Sequence, residues 1–289
     1  MDVIALPLPG NEPFAARLGL PVRVVDVHAF PDGESRVRVD GDLAGEEVAV
    51  VCTLDRPDPK IVPLTLAACA ARDRGARRVV LVAPYLCYMR QDRAFQPGEA
   101  VAARVVAELL AGSFDALVTV DPHLHRISSL AEVWAIPSRV AHAAPAISAW
   151  VRANVRRPLV IGPDEESAQW AEAVARGAGA PSTVLRKTRR GDRDVEVTVP
   201  DLAPWPGRVP VLVDDIVSTA RTMAAAAEHL RAAGSAPPVC AVVHALFAPG
   251  AEEALGAAGV ARVVSCDTVV HRTNGIGVAP LVAEALARV

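Results

Sequence analysis

Short runs of β-branched and aliphatic residues alternate along the chain with alanine-rich stretches of helical period. In the first half the spacing predicts strands over Val3–Leu8, Val22–Val27, Val48–Thr53, Val79–Ala83 and Leu117–Val120. Helices are predicted between them over Pro63–Arg74 and Glu99–Leu110. In the second half strands are predicted over Leu159–Ile161, Thr183–Leu185, Val195–Val199, Val209–Val213, Val239–His244 and Val263–Ser265. Helices are predicted over Ser167–Arg176, Thr222–Ala233 and Val278–Ala287. Strand–helix alternation of this kind specifies an α/β fold with mostly parallel sheets. A boundary falls near Ala141–Arg157, where no strand signal occurs, so two α/β domains of similar size are expected. No short-period repeat, heptad array or low-complexity tract interrupts the pattern.

Composition narrows the function classes. With 289 residues, 52% of them hydrophobic, the chain can bury a substantial core. Its formal net charge of -3 gives no general field for nucleic acid or an anionic membrane, so an anionic substrate must be held by a local cluster. The five cysteines are scattered without a C-x-x-C pair and read as core residues in a reducing compartment. No secretory signal is evident, and the uncharged residues Gly234 to Ala251 are broken by three prolines. A soluble, cytoplasmic protein is the expectation.

Within Val209–Met223 a buried strand leads into two adjacent carboxylates, Asp214 and Asp215. A short loop, Ser218-Thr219-Ala220-Arg221-Thr222, then opens an alanine-rich helix. A helix N-terminus binds anions through its unpaired N–H groups and dipole, and the hydroxyls of Ser218, Thr219 and Thr222 can add donors. Carboxylates beside such a site would repel phosphate and suit sugar hydroxyls or a metal instead, which together describes a phosphorylated sugar. The plain alternative is N-capping by Ser218 or Thr219 with solvated acids.

Four further clusters stand out. Arg90-Gln91-Asp92-Arg93 follows a predicted strand and offers forked donors suited to phosphate oxygens, or an exposed salt-bridged loop. Arg186–Arg193 holds five basic residues in eight, which invites a polyphosphate or describes a solvated hairpin loop. Asp121-Pro-His123 and Gly162-Pro-Asp164 stand at strand ends, where His123 and Asp164 suffice for an ATP-borne Mg²⁺ that keeps water and phosphate ligands. Zn²⁺ fits less well, because His123-x-His125 lacks a third ligand nearby. Phe30-Pro-Asp32-Gly33-Glu34 reads as a turn between two strand-like runs. Neither a G-x-x-x-x-G-K-[ST] loop nor a complete G-x-G-x-x-G after a strand is present.

Taken in order, these segments resemble the ribose-phosphate pyrophosphokinase family. The likeness runs from Leu8-Pro-Gly-Asn11 through Phe30–Glu34, Arg90–Arg93 with Pro97-Gly-Glu99, Asp121–His123 and Gly162–Asp164. It continues through Lys187-Thr-Arg189, Asp214–Thr222, Phe247–Ala251 and Val278–Leu281. The resemblance implies two phosphoribosyltransferase-like domains, 1–143 on the ATP side and 144–289 with the ribose 5-phosphate loop, the last helix able to pack back on the first domain. It implies transfer of the β,γ-pyrophosphate of ATP to the 1-hydroxyl of ribose 5-phosphate. Phe30, Asp32, Gly33 and Glu34 would hold ATP bound to a neighbouring subunit of a homo-oligomer. Arg90, Gln91, Asp92 and Arg93 would hold ATP in the same subunit, and His123 and Asp164 would bind Mg²⁺. Lys187 and Arg189, on a closing loop, would carry catalysis. Arg189, Asp214, Asp215, Ser218, Thr219, Ala220, Arg221 and Thr222 would hold ribose 5-phosphate.

Departures from the family pattern are local. Ser218 and Arg221 stand where many relatives have an acid and a glycine, and Glu165-Glu166-Ser167 stands where glycines are common. The Lys-Thr-Arg triplet and the short length resemble the archaeal-type branch. Segment Cys52–Lys60 does not follow the bacterial pattern tied to phosphate and ADP regulation. Competing readings are a phosphoribosyltransferase, which would not need the Phe30 and Arg90 segments, a catalytically silent regulatory homologue, and a nucleic-acid module, which the charge balance disfavours.

Overall fold

The computed structural model describes residues 3–124, 126–163, 167–190, 194–198 and 202–289, with backbone alone for 186–190 and 194–198. The chain divides into two compact units, residues 1–142 with 279–289, and residues 143–278.

In the first unit, strands β1 (Val3–Pro7), β4 (Glu47–Val51), β5 (Arg78–Ala83), β6 (Ala116–Val120) and β7 (Ser138–Ala141) form one parallel sheet in that order. Parallel strands covered on both faces read as unbroken apolar runs. Val79–Ala83 of β5 and all of β6 are buried, as the pattern predicts. Between β1 and β4 lie helix α1 (Glu12–Ala16) and an antiparallel hairpin, β2 (Val25–Ala29) with β3 (Ser35–Val39), whose tip is the Phe30–Glu34 turn. The expected strand at Val22–Val27 starts three residues later. Val22 makes a single bridge to Ala5 before the chain leaves the sheet edge for β3.

Helix α2 spans Asp58–Asp73 and begins five residues before the expected Pro63. Pro59 lies in its first turn, where a missing N–H costs nothing. Pro63 then forfeits one internal hydrogen bond, offset by burial of Leu64, Ala67, Ala68 and Ala71 on one face. Helix α3 (Ala102–Ala111) joins β5 to β6, and helix α8 (Ala279–Leu286) returns to pack beside β6 and β7.

The second unit carries β15 (Asn274–Ile276), β14 (Arg262–Cys266), β13 (Val239–Ala245), β12 (Val209–Val217), β8 (Pro158–Gly162) and β9 (Ser182–Val184) as one parallel sheet. Helices α4 (Ala144–Asn154) and α5 (Ala168–Ala178) pack together, with Ser148 donating to Ala144 O at 2.6 Å and Val174 O at 2.8 Å. Helices α6 (Arg221–Ala232) and α7 (Ala251–Ala257) form a core with β12 and β13 through Met223, Leu230, Leu255, Leu212 and Val242.

Two expectations change here. The basic segment read as a loop is strand β10 (Arg186–Arg190), paired antiparallel with β11 (Asp194–Thr198). Its register sets Lys187 and Arg189 opposite Val197 and Val195. Strand β12 also does not stop at Val213 but runs through Asp214 and Asp215 to Val217. Among the described residues no helix is long and apolar enough to cross a membrane.

Candidate active site

In a parallel sheet the loops leaving the carboxyl ends of the strands converge on one edge, which is where such folds bind ligands. At that edge of the first unit, Asn11 follows β1 and is buried. Its Nδ2 donates to Leu8 O at 3.1 Å, and its Oδ1 accepts from the Thr53 N–H, after β4, at 2.7 Å. One side chain thereby joins two loops that lie 42 residues apart.

The loop after β5 holds the expected ATP residues. Tyr88 has a φ of +61°, a left-handed conformation that a non-glycine residue adopts only when held, and its hydroxyl bonds Asp58 Oδ1 at the start of α2. Gln91 is anchored through its backbone, its N–H donating to Tyr88 O and its carbonyl accepting from Ala103 N. Arg90 and Arg93 are exposed, and the Arg93 guanidinium lies 5.1 Å from the Phe95 ring centroid. Asp92 turns inward, its side chain only 2% exposed and paired with Arg126.

After β6, Asp121 is buried with a φ of +29°. Two contacts from the end of β7 hold it: its N–H donates to Ala141 O at 3.1 Å, and its Oδ1 lies 2.8 Å from His142 Nδ1. The Asp121 carboxylate raises the His142 pKa above its ordinary value. His123 follows two residues on, on a turn whose backbone is thus fixed at its start.

At the hairpin tip Gly33 has a φ of +93°, Asp32 Oδ1 accepts from Glu34 N, and Phe30 packs edge-on against His28 while 41% exposed. This turn chemistry was legible in Pro-Asp-Gly; the exposure of Phe30 was not.

In the second unit β8 pairs with β12 only as far as Leu212. Asp214 and Asp215 lie beyond that point, half-buried and supported by β13. Each carboxylate accepts from the next backbone N–H, Asp214 from Asp215 N at 3.0 Å and Asp215 from Ile216 N at 2.7 Å. The carbonyls of Val217 and Ser218 accept from Leu246 and Ala248 N–H, both at 3.0 Å. With those carbonyls taken up by the loop after β13, the N–H groups of the turn into α6 face the other way.

The capping alternative does not hold. The N-cap of α6 is Ala220, in left-handed conformation with φ +59°, and no side chain caps the helix. Ser218, Thr219, Arg221 and Thr222 make no side-chain hydrogen bond among the described residues, and Thr219, Arg221 and Thr222 are exposed. Four donor-bearing side chains therefore surround an uncapped helix N-terminus, which is chemistry for a phosphate. Arg221 opens the helix itself, and the left-handed position falls on Ala220.

The structure brings 214–222 together in one strand–turn–helix and the Arg90 loop beside the His123 loop. Lys187 and Arg189 stand two positions apart in β10, whose partner β11 runs beside α6. Asp164 lies outside the described residues. Cys52, Cys87 and Cys240 are pushed up to about 12 by burial, so none offers a thiolate. Sequence reasoning passed over Arg126 and His142; neither lies in a recognisable motif, and each acquires its partner through the fold.

Comparison with known proteins identifies the family. Residues 11–113 match the N-terminal domain of ribose phosphate pyrophosphokinase, and residues 129–281 match the phosphoribosyl transferase domain. The chain is 36% identical over 274 residues to the ribose-phosphate pyrophosphokinase of Methanopyrus kandleri, covering 94% of this chain and 93% of the relative. It is 35% identical over 273 residues to that of Halobacterium salinarum, covering 94% and 95%. The fold matches the crystal structure of phosphoribosylpyrophosphate synthetase from Mycobacterium smegmatis with a TM-score of 0.85 and 23% identity, over 99% of this chain and 98% of the other. Family-model matches in both halves and identity along nearly the whole length agree, and the chain belongs to the ribose-phosphate pyrophosphokinase family.

Proposed function

We propose that the chain is a Mg²⁺-dependent ribose-phosphate pyrophosphokinase, which transfers the β,γ-pyrophosphate of ATP to ribose 5-phosphate and releases AMP. The carrying observation is that both halves match the family, 11–113 as well as 129–281. A phosphoribosyltransferase would account for the second match and leave the first without purpose.

In the reaction the sugar's 1-hydroxyl oxygen bonds to the β-phosphorus in line as the bond from that phosphorus to the AMP oxygen breaks, and the hydroxyl proton is released. Such chemistry needs positioning and charge neutralisation more than covalent help. In this reading the N–H groups and hydroxyls of Ser218–Thr222 bind the 5-phosphate. Asp214 and Asp215, half-buried at the strand extension, accept from the ribose hydroxyls. Lys187 and Arg189 neutralise the transferring group, and Arg90, Gln91 and Arg93 hold the triphosphate. His123 with the carboxylate of Asp164 would hold Mg²⁺, and this small donor set fits a hard cation that takes its remaining ligands from phosphate and water. When bound, the ion would supply Lewis-acid neutralisation of the charge on the reacting phosphates. The exposed ring of Phe30 at a hairpin tip, with Asp32 and Glu34 beside it, supports a role toward the adenine of ATP on a second copy of the chain.

The test is to mix protein, ATP, Mg²⁺ and ribose 5-phosphate and separate the nucleotides. Sugar-dependent AMP is expected; its absence, with pyrophosphate released from phosphoribosyl pyrophosphate and a base, would establish a transferase instead.

A further inference from the structure

Asp92 sits two residues after Arg90, yet its side chain is 2% exposed while that of its partner Arg126 is 44% exposed. Arg126 Nη1 stands 3.3 Å from one oxygen of the carboxylate and 3.4 Å from the other. A carboxylate enclosed beside a triphosphate site would oppose binding unless neutralised, and Arg126 neutralises it. The guanidinium has five N–H donors in a planar fork. Only Nη1 is engaged by Asp92, and the Nε and Nη2 edge makes no other bond among the described residues. Arg126 is also three residues beyond His123 and is fastened to the loop that carries Arg90 and Gln91. The pair thus spans the loop that the proposed function assigns to ATP and the one it assigns to Mg²⁺, and it leaves a fork suited to phosphate oxygens partly exposed beside them.

We propose that Arg126 is a further phosphate-binding residue on the ATP side of the site and that Asp92 is the positioning residue that holds its guanidinium there. The inference rests on the ATP-dependent reading above. Asp92 does not contact ATP in this account; it sets the orientation of the residue that does.

The test measures Mg²⁺-ATP binding by equilibrium dialysis without sugar, alongside steady-state AMP formation. Arg126→Met is expected to weaken ATP binding and raise KM for ATP about tenfold or more, since a charge-assisted bond is lost. KM for ribose 5-phosphate should stay within about twofold. Arg126→Lys, which keeps the charge without the fork, should lie between wild type and Met. Asp92→Asn should weaken ATP binding by a smaller factor. Unchanged ATP affinity in Arg126→Met, at an unchanged melting temperature, would overturn the proposal and leave the pair as a structural salt bridge. Should the Met variant not fold, the Lys variant decides: ATP affinity equal to wild type refutes the role. If wild type forms no sugar-dependent AMP, the functional reading fails, and dialysis still judges Arg126 separately.

Discussion

Gly162 closes β8 immediately before Pro163, and its carbonyl accepts from Leu185 N at 3.0 Å. A Cβ placed there would lie 2.5 Å from Ser167 Oγ, 3.1 Å from Val184 Cγ1 and 3.4 Å from Ala171 Cβ. Rotation of the Ser167 side chain relieves the first contact. The second is roughly 0.5 Å inside the usual carbon–carbon separation of about 3.5–4 Å and requires Val184 of β9 to give way. Overpacking of this kind costs about 1–3 kcal/mol, and with one contact relieved by rotation about 2 kcal/mol is expected for Gly162→Ala. That corresponds to a melting temperature about 4–8 °C lower. With the Mg²⁺ role proposed for Asp164, two residues beyond Gly162 in the chain, the Mg²⁺ concentration for half-maximal AMP formation should also rise. Thermal unfolding and a Mg²⁺ titration read the two effects. In the Gly162→Ala/Ser167→Ala double variant, coupling of at least about 0.5 kcal/mol is expected, because the two side chains compete for one space. A melting temperature within about 1 °C of wild type, an unmoved Mg²⁺ titration and no coupling would refute the close-packing argument.

Lys187→Ala should lower kcat by a factor of about a hundred or more with circular dichroism and melting temperature unchanged, and near-normal turnover would remove β10 from the mechanism. Asn11→Ala removes the side-chain acceptor of the buried Thr53 N–H, while the Leu8 carbonyl keeps its bond from the backbone N–H of residue 11, and should destabilise the first unit by about 1–3 kcal/mol in urea unfolding. His142 has a folded pKa raised by Asp121. Its contribution to stability is therefore fully present below the unfolded value of about 6.5 and is lost as pH rises through the higher folded value. The stability difference between wild type and His142→Gln should accordingly be greatest in mild acid and shrink toward alkaline pH; a difference that grows with pH would contradict the Asp121 contact.

What the sequence determines by itself is what a contiguous segment can encode. Strands β5 and β6 are continuous apolar runs because both faces of a parallel sheet are covered, and helix α3 between them shows its period in alanine and leucine. Asp32-Gly33 is a turn from residue chemistry alone, and the Asp214–Thr222 stretch announces a strand, an acidic pair and a helix start. The tertiary structure decides what depends on partners remote along the chain. Strand β12 carries its carboxylates past the end of β8 because β13 supports it there, and the charged β10 is a strand because β11 lies opposite. Asn11 reaches Thr53 across 42 residues, and Asp92 reaches Arg126 across 34. Such pairings form only when the sheet brings its loops to one edge, and no local pattern of residues contains that information.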